Sequence, residues 1–205
     1  MGYSSREEFL NTASHAFAAA LFAIVGAWLA QRANARGLGL FKTLSVGVFY
    51  LSVVFAFLAS ALYHGAKGEL KAKLKLLDHI AIFFMSFGVF FAAAALSDLP
   101  KFWTIFLSAA LFLAAILGSV LKFRLGADGT KRWSIIFNIA MPSLIIIPMF
   151  FMPPRAVLFF LLAAALDLIG LGFYLKKDAE FTHAAWHVFS TLTVAGDTLA
   201  VYSLL

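Results

Sequence analysis

Charged residues divide this chain into long stretches that contain none. Residues 9–31, 43–66, 79–97, 102–121 and 133–154 carry no Asp, Glu, Lys or Arg; residues 156–175 carry only Asp167, and residues 181–205 only Asp197. A helix rising about 1.5 Å per residue needs about 20 apolar residues to cross the roughly 30 Å hydrocarbon core of a bilayer. Each run has that length, and the short charged links between them suit helical hairpins. The pattern predicts an all-α integral membrane protein with seven transmembrane helices, forming a single domain over residues 1–205. Pro142, Pro148, Pro153 and Pro154 fall in or just after the fifth run and predict a kink or early ending there.

Composition removes the soluble alternative. The chain is 63% hydrophobic and 13% charged, whereas soluble domains are about half apolar and about a quarter charged. With no cysteine, disulfides and thiolate metal sites are excluded. Glu7 and Glu8 precede the first run, which is too long for a cleavable signal peptide. The formal charge of +6 reads as loop topology and attraction to anionic headgroups, giving no reason to expect a nucleic acid partner. Trp133, Trp186 and Tyr63 suit the aromatic belts of a bilayer.

Orientation follows from the excess of Lys and Arg in cytoplasmic loops. Arg6, Lys67, Lys71, Lys73, Lys75, Lys122, Arg124, Lys131, Arg132, Lys176 and Lys177 fall on one side; Arg32, Arg36, Lys42, Lys101 and Arg155 fall on the other. Eleven against five predicts the N-terminus in the cytoplasm and the C-terminus outside, in a multi-pass protein of the inner (plasma) membrane.

That topology gathers all five histidines near the inner face. His15 lies early in the first run, His64 ends the second, His79 begins the third, and His183 and His187 open the seventh. His183 and His187 are four residues apart, so their rings project from one helical face about a turn apart. This lets one helix supply two ligands to a metal. His64 could add a third, and three imidazoles with an open position is a common catalytic zinc arrangement, although imidazole also serves iron, copper and nickel. Ser60 shares a face with His64. Asp78 opens the third run on the same side, where a carboxylate can take a proton from an activated water or simply cap the helix.

Three segments then carry a resemblance. "EEFLNTASH" (7–15), "SALYH" (60–64) with "LLDHIAI" (76–82), and "HAAWHVF" (183–189) are similar to the three signature blocks of the hemolysin III family. That family is the bacterial arm of the progestin and adipoQ receptors, within a superfamily that includes alkaline ceramidases. The resemblance implies seven helices with a zinc ion near the inner face, held by His64, His183 and His187. Asp78 would hold the zinc-bound water, with Ser60 beside it. Glu8, Asn11 and His15 share one stripe of the first helix and are expected to form a supporting hydrogen-bond network. The chain departs from the family pattern at "MSFGVFFAAAA" (85–95) and "AGDTLAVYS" (195–203), the second of which holds Asp197. An intramembrane carboxylate is by default a functional hypothesis.

The implied activity is zinc-dependent hydrolysis of a lipid amide or ester near the cytoplasmic leaflet, with a membrane lipid as substrate or ligand. The alternatives are a non-enzymatic membrane regulator or receptor-like protein with structural zinc, a cytolytic pore, and a bis-histidine haem protein. A pore predicts a polar stripe along several helices, and here intramembrane polarity gathers at one end.

Overall fold

The computed structural model describes residues 3–129, 131–176 and 179–205. The described residues form eight helices and no strand: α1 (Ser5–Ala35), α2 (Gly39–Gly65), α3 (Gly68–Leu96), α4 (Lys101–Gly129), α5 (Lys131–Ser143), α6 (Ile146–Met149), α7 (Pro154–Leu175) and α8 (Thr182–Leu204). Six of the seven runs each become one long helix. The fifth becomes α5 and the short α6, because Pro142 sits in the last turn of α5 and Pro148 within α6. Pro153 and Pro154 then start α7, where the missing N–H leaves no helical bond unmade. By length and composition α1–α4 and α7 can each cross a membrane. The 23 residues of α8 would span about 34 Å at 1.5 Å per residue.

The surface identifies the solvent. On α1, Phe9, Phe17 and Ile24 are 71%, 66% and 72% exposed, while Asn11 and His15 are buried. A helix that exposes large apolar side chains such as these while burying polar ones is arranged for lipid. Together with the spans, this makes the chain a membrane protein.

Several helices run past the ends of the charge-free runs. α3 begins eleven residues before His79, so Lys71, Lys73 and Lys75 are helical, and Lys122 and Arg124 belong to α4. These charges do not lie in loops as the topology reading had them. Lys177 and the side chains of Lys131 and Arg132 lie outside the described residues.

α3 is the central helix, packed against α2, α4, α5 and α8, and α1 joins α2 to α8. The principal core cluster runs through these neighbours and includes Phe22, Phe49, Val53, Phe57, Val89 and Val194. α7 packs closely on α8: a Cβ on Gly170 would press on Phe189, and one on Gly196 would press on Ala163. Among the described residues α5 and α7 have no substantial packing against each other.

Candidate metal centre

His64 is the penultimate residue of α2, and His183 and His187 occupy the first two turns of α8. Their rings turn toward one point. His183 Nε2 lies 3.2 Å from His64 Nε2 and 3.1 Å from His187 Nε2, and the ligand nitrogens all fall within 4.8 Å of one another. Two nitrogens bound tetrahedrally at 2.0–2.1 Å would stand about 3.3 Å apart, so the spacing suits a metal such as zinc.

Proton accounting supports the same conclusion. His64 Nδ1 is 2.7 Å from Glu8 Oε2. An ionised carboxylate only accepts, so Nδ1 carries the proton and Nε2 presents a lone pair. His187 Nδ1 lies 3.3 Å from the carbonyl oxygen of Asn11, which fixes the same tautomer. Between these two acceptors His183 Nε2 can donate to only one. At least one lone pair stays unmatched at a buried point, and a cation there would engage all three. The three histidines therefore fit a metal ion. The donor set alone does not select zinc over other imidazole-binding metals.

The supporting layer only partly matches the sequence reading. Glu8 bonds His64 and also accepts from Lys71 Nζ at 2.8 Å. Asn11 acts on His187 through its backbone carbonyl. His15 makes no hydrogen bond through either ring nitrogen and contributes a stack on His187, with centroids 3.6 Å apart and planes 5° from parallel. The network expected from α1 is thus two hydrogen-bonding residues and one stacking ring.

Lys71 and Tyr3 escaped the sequence reading of the site, and Glu7, part of the first signature block, was given no role in it. Glu7 forms a capping box with Ser4, and its Oε1 also accepts the backbone N–H of Phe181 at 2.8 Å. Phe181 holds φ 65°, an unfavourable conformation for a bulky residue, so this bond secures the turn that aims His183. Lys71 joins Glu8 to the last turn of α2 through the carbonyl oxygen of His64. Tyr3 stacks on His183 with centroids 4.6 Å apart. Burial of part of the Tyr3 side chain, followed by the nearby Tyr63 and Tyr174 hydroxyls, pushes its pKa up from the ordinary value. The capping pattern at Ser4–Glu7 was visible in the sequence; the partners across helices were not.

Ser60 and Asp78 line a cavity of about 470 Å³ that also receives His15, His79 and His183. Asp78 lies ten residues inside α3, which removes the helix-capping alternative. Ser60 stands beside it, and the Ser60 hydroxyl has no partner that meets hydrogen-bond geometry. Lys122, 2% exposed, faces the same space from α4 and acts electrostatically on Asp78. His79 lines the cavity and is not one of the three converging histidines. Asp167 and Asp197 line its other end.

The sequence matches the family model described as haemolysin-III related over residues 3–196. The match contains the three histidines, the residues that support them, Ser60 and Asp78, and ends one residue before Asp197.

Proposed function

Because the chain belongs to the haemolysin-III related family, we propose that it is a zinc-dependent membrane hydrolase that cleaves an amide or ester bond of a lipid near the cytoplasmic leaflet. The observation that carries this reading is the convergence of three imidazole Nε2 atoms beside a cavity lined by Ser60 and Asp78. His64, His183 and His187 would hold the ion. When bound, zinc supplies Lewis-acid polarisation and makes water acidic enough to lose a proton near neutral pH.

The chain's own groups supply the remaining chemistry. Asp78 accepts the proton released as water adds to the acyl carbon, then returns it to the departing nitrogen or oxygen as the acyl bond breaks. The buried Ser60 hydroxyl, beside Asp78, donates to the oxyanion. Lys122 holds Asp78 toward the cavity. Glu8 and the Asn11 carbonyl keep two imidazoles in the tautomer that leaves Nε2 free. A lipid would enter from the bilayer between α5 and α7, with Phe57, Ile82, Met85 and Leu171 as apolar walls. The N-terminus is cytoplasmic in this reading, and the membrane is the inner (plasma) membrane.

The regulator reading draws on the Tyr3 stack, which covers His183 as a structural metal site would be covered. Asp78→Asn separates the two. It keeps the size and can still hydrogen-bond water, yet cannot take up a proton. Zinc content should persist while hydrolysis of ceramide-like or other acyl lipids falls about 10²–10⁴-fold. If this variant complements a deletion as well as wild type with zinc bound, the hydrolase reading fails and the regulator replaces it.

A further inference from the structure

The cavity's other end contains groups that the hydrolase reading does not use. Asp197 lies fifteen residues into α8, about 22 Å along the helix at 1.5 Å per residue. It is 9% exposed and lines the cavity, and no hydrogen bond reaches its carboxylate from any described residue. Asp167, eight residues before the end of α7, lines the same space and acts electrostatically on Asp197. The two α7–α8 close approaches, Gly170 on Phe189 and Gly196 on Ala163, flank Asp167 along α7, and the second adjoins Asp197.

Oxygen ligands line this part of the cavity: Asn138 Oδ1 is buried without a partner, and three hydroxyls add theirs. Ser86 Oγ donates to the Ile82 carbonyl at 3.1 Å, Ser190 Oγ to the Trp186 carbonyl at 3.0 Å and Thr193 Oγ1 to the Phe189 carbonyl at 2.9 Å. All three line the cavity. Each hydroxyl has committed its proton to its own helix and turns only lone pairs outward. A wall of acceptors around a buried carboxylate is costly in hydrocarbon until something positive or hydrogen-donating fills it. An acyl chain has nothing to offer such a wall.

We propose that Asp167 and Asp197 form a second cation site at the deep end of the cavity, which takes a small monovalent cation, Na⁺ or hydronium, through oxygen donors alone. The all-oxygen donor set separates it chemically from the imidazole site, since oxygens suit hard cations and imidazoles suit transition metals. The groups facing Asp197 are Asp167 from α7 and Tyr50 from α2. Tyr50 directs its hydroxyl to Thr198 Oγ1 at 3.1 Å. Asp78 and His79 from α3 and Lys122 from α4 line the same cavity toward the triad.

The test is thermal unfolding of the full-length, zinc-loaded protein in phosphatidylcholine nanodiscs. NaCl is exchanged for choline chloride at constant ionic strength, and then pH is varied without sodium. A ligand that binds only the folded state stabilises as the logarithm of its concentration above Kd. A sodium site therefore gives a Tm that climbs in equal steps per tenfold NaCl in wild type and stays flat in Asp197→Asn. A hydronium site gives no sodium response but a Tm that rises as pH falls, a rise lost in Asp197→Asn and kept in Asp78→Asn. Asp167→Asn, on an exposed side chain at the cavity's edge, should weaken whichever response occurs and gives a second reading if Asp197→Asn does not fold. Responses absent in wild type, or unchanged in both the Asp167 and Asp197 variants, overturn the proposal.

Discussion

At the triad end of the cavity, polar side chains bond from helix to helix: Glu8 of α1 to His64 of α2, the Asn11 carbonyl of α1 to His187 of α8, and Glu7 of α1 to the turn before α8. Deeper in the cavity, Ser86, Ser190 and Thr193 bond back into their own helices, Tyr50 reaches Thr198 across helices, and the Asp197 carboxylate faces the cavity. Bonds between helices fix ring orientation and tautomer, which produces a rigid set of nitrogen lone pairs. Bonds within a helix leave the hydroxyl proton committed and the oxygen available, which produces an acceptor surface with no rigid frame. Polar side chains along one cavity thus form two different environments, according to where their protons go.

In the proposed topology the two ends of the cavity lie in opposite halves of the bilayer. Reporter fusions after Leu205 and after Lys177 should report opposite sides, with Leu205 outside. A cytoplasmic signal from the Leu205 fusion would break that assignment. Within the triad end, His64→Ala should abolish metal binding in the purified protein, from about one ion per three-histidine site to none, and the His183→Ala, His187→Ala pair should do the same. His79→Ala should retain the metal, as elemental analysis of the purified variants would show. Loss of metal on changing His79, with retention on changing His64, would reverse the ligand assignment.

Smaller effects test the frame rather than the ligands. Glu8→Gln no longer imposes the His64 tautomer, because an amide can donate as well as accept. Metal affinity should fall about 10–100-fold, measurable by competition with a chelator of known affinity. An unchanged affinity would reduce Glu8 to a partner of Lys71 alone. Glu7→Ala removes the capping box and the bond to Phe181. It should lower stability by about 1 kcal/mol while leaving metal stoichiometry intact. Thermal unfolding in detergent checks the first expectation and metal analysis the second.

Much of this molecule was readable before folding. The seven charge-free runs mark where the long helices and the broken fifth segment lie, since a bilayer tolerates few charges and proline removes a backbone donor. Helix ends were less legible: Lys71, Lys73 and Lys75 are helical because polar helix can continue beyond the hydrocarbon, and Lys122 is helical and buried against the cavity, neither of which a charge count detects. His64, His183 and His187 stood out by residue type and spacing, and their convergence agrees with that reading. The role of His15 did not follow from its position, because a ring on the correct stripe can stack as readily as it can bond.

The amino-acid sequence by itself determined that this chain must be a helical membrane protein and which helix ends carry imidazole, because periodicity, length and charge act locally along the chain. Tertiary structure alone decided which nitrogen of each ring turns inward, that Glu7 reaches 174 residues along the chain to Phe181, and that Asp167 and Asp197 share one cavity wall. Those outcomes depend on how helices rotate and slide against one another. The rotations are set by close contacts such as Gly170 on Phe189 and Gly196 on Ala163, which no property of a single helix encodes.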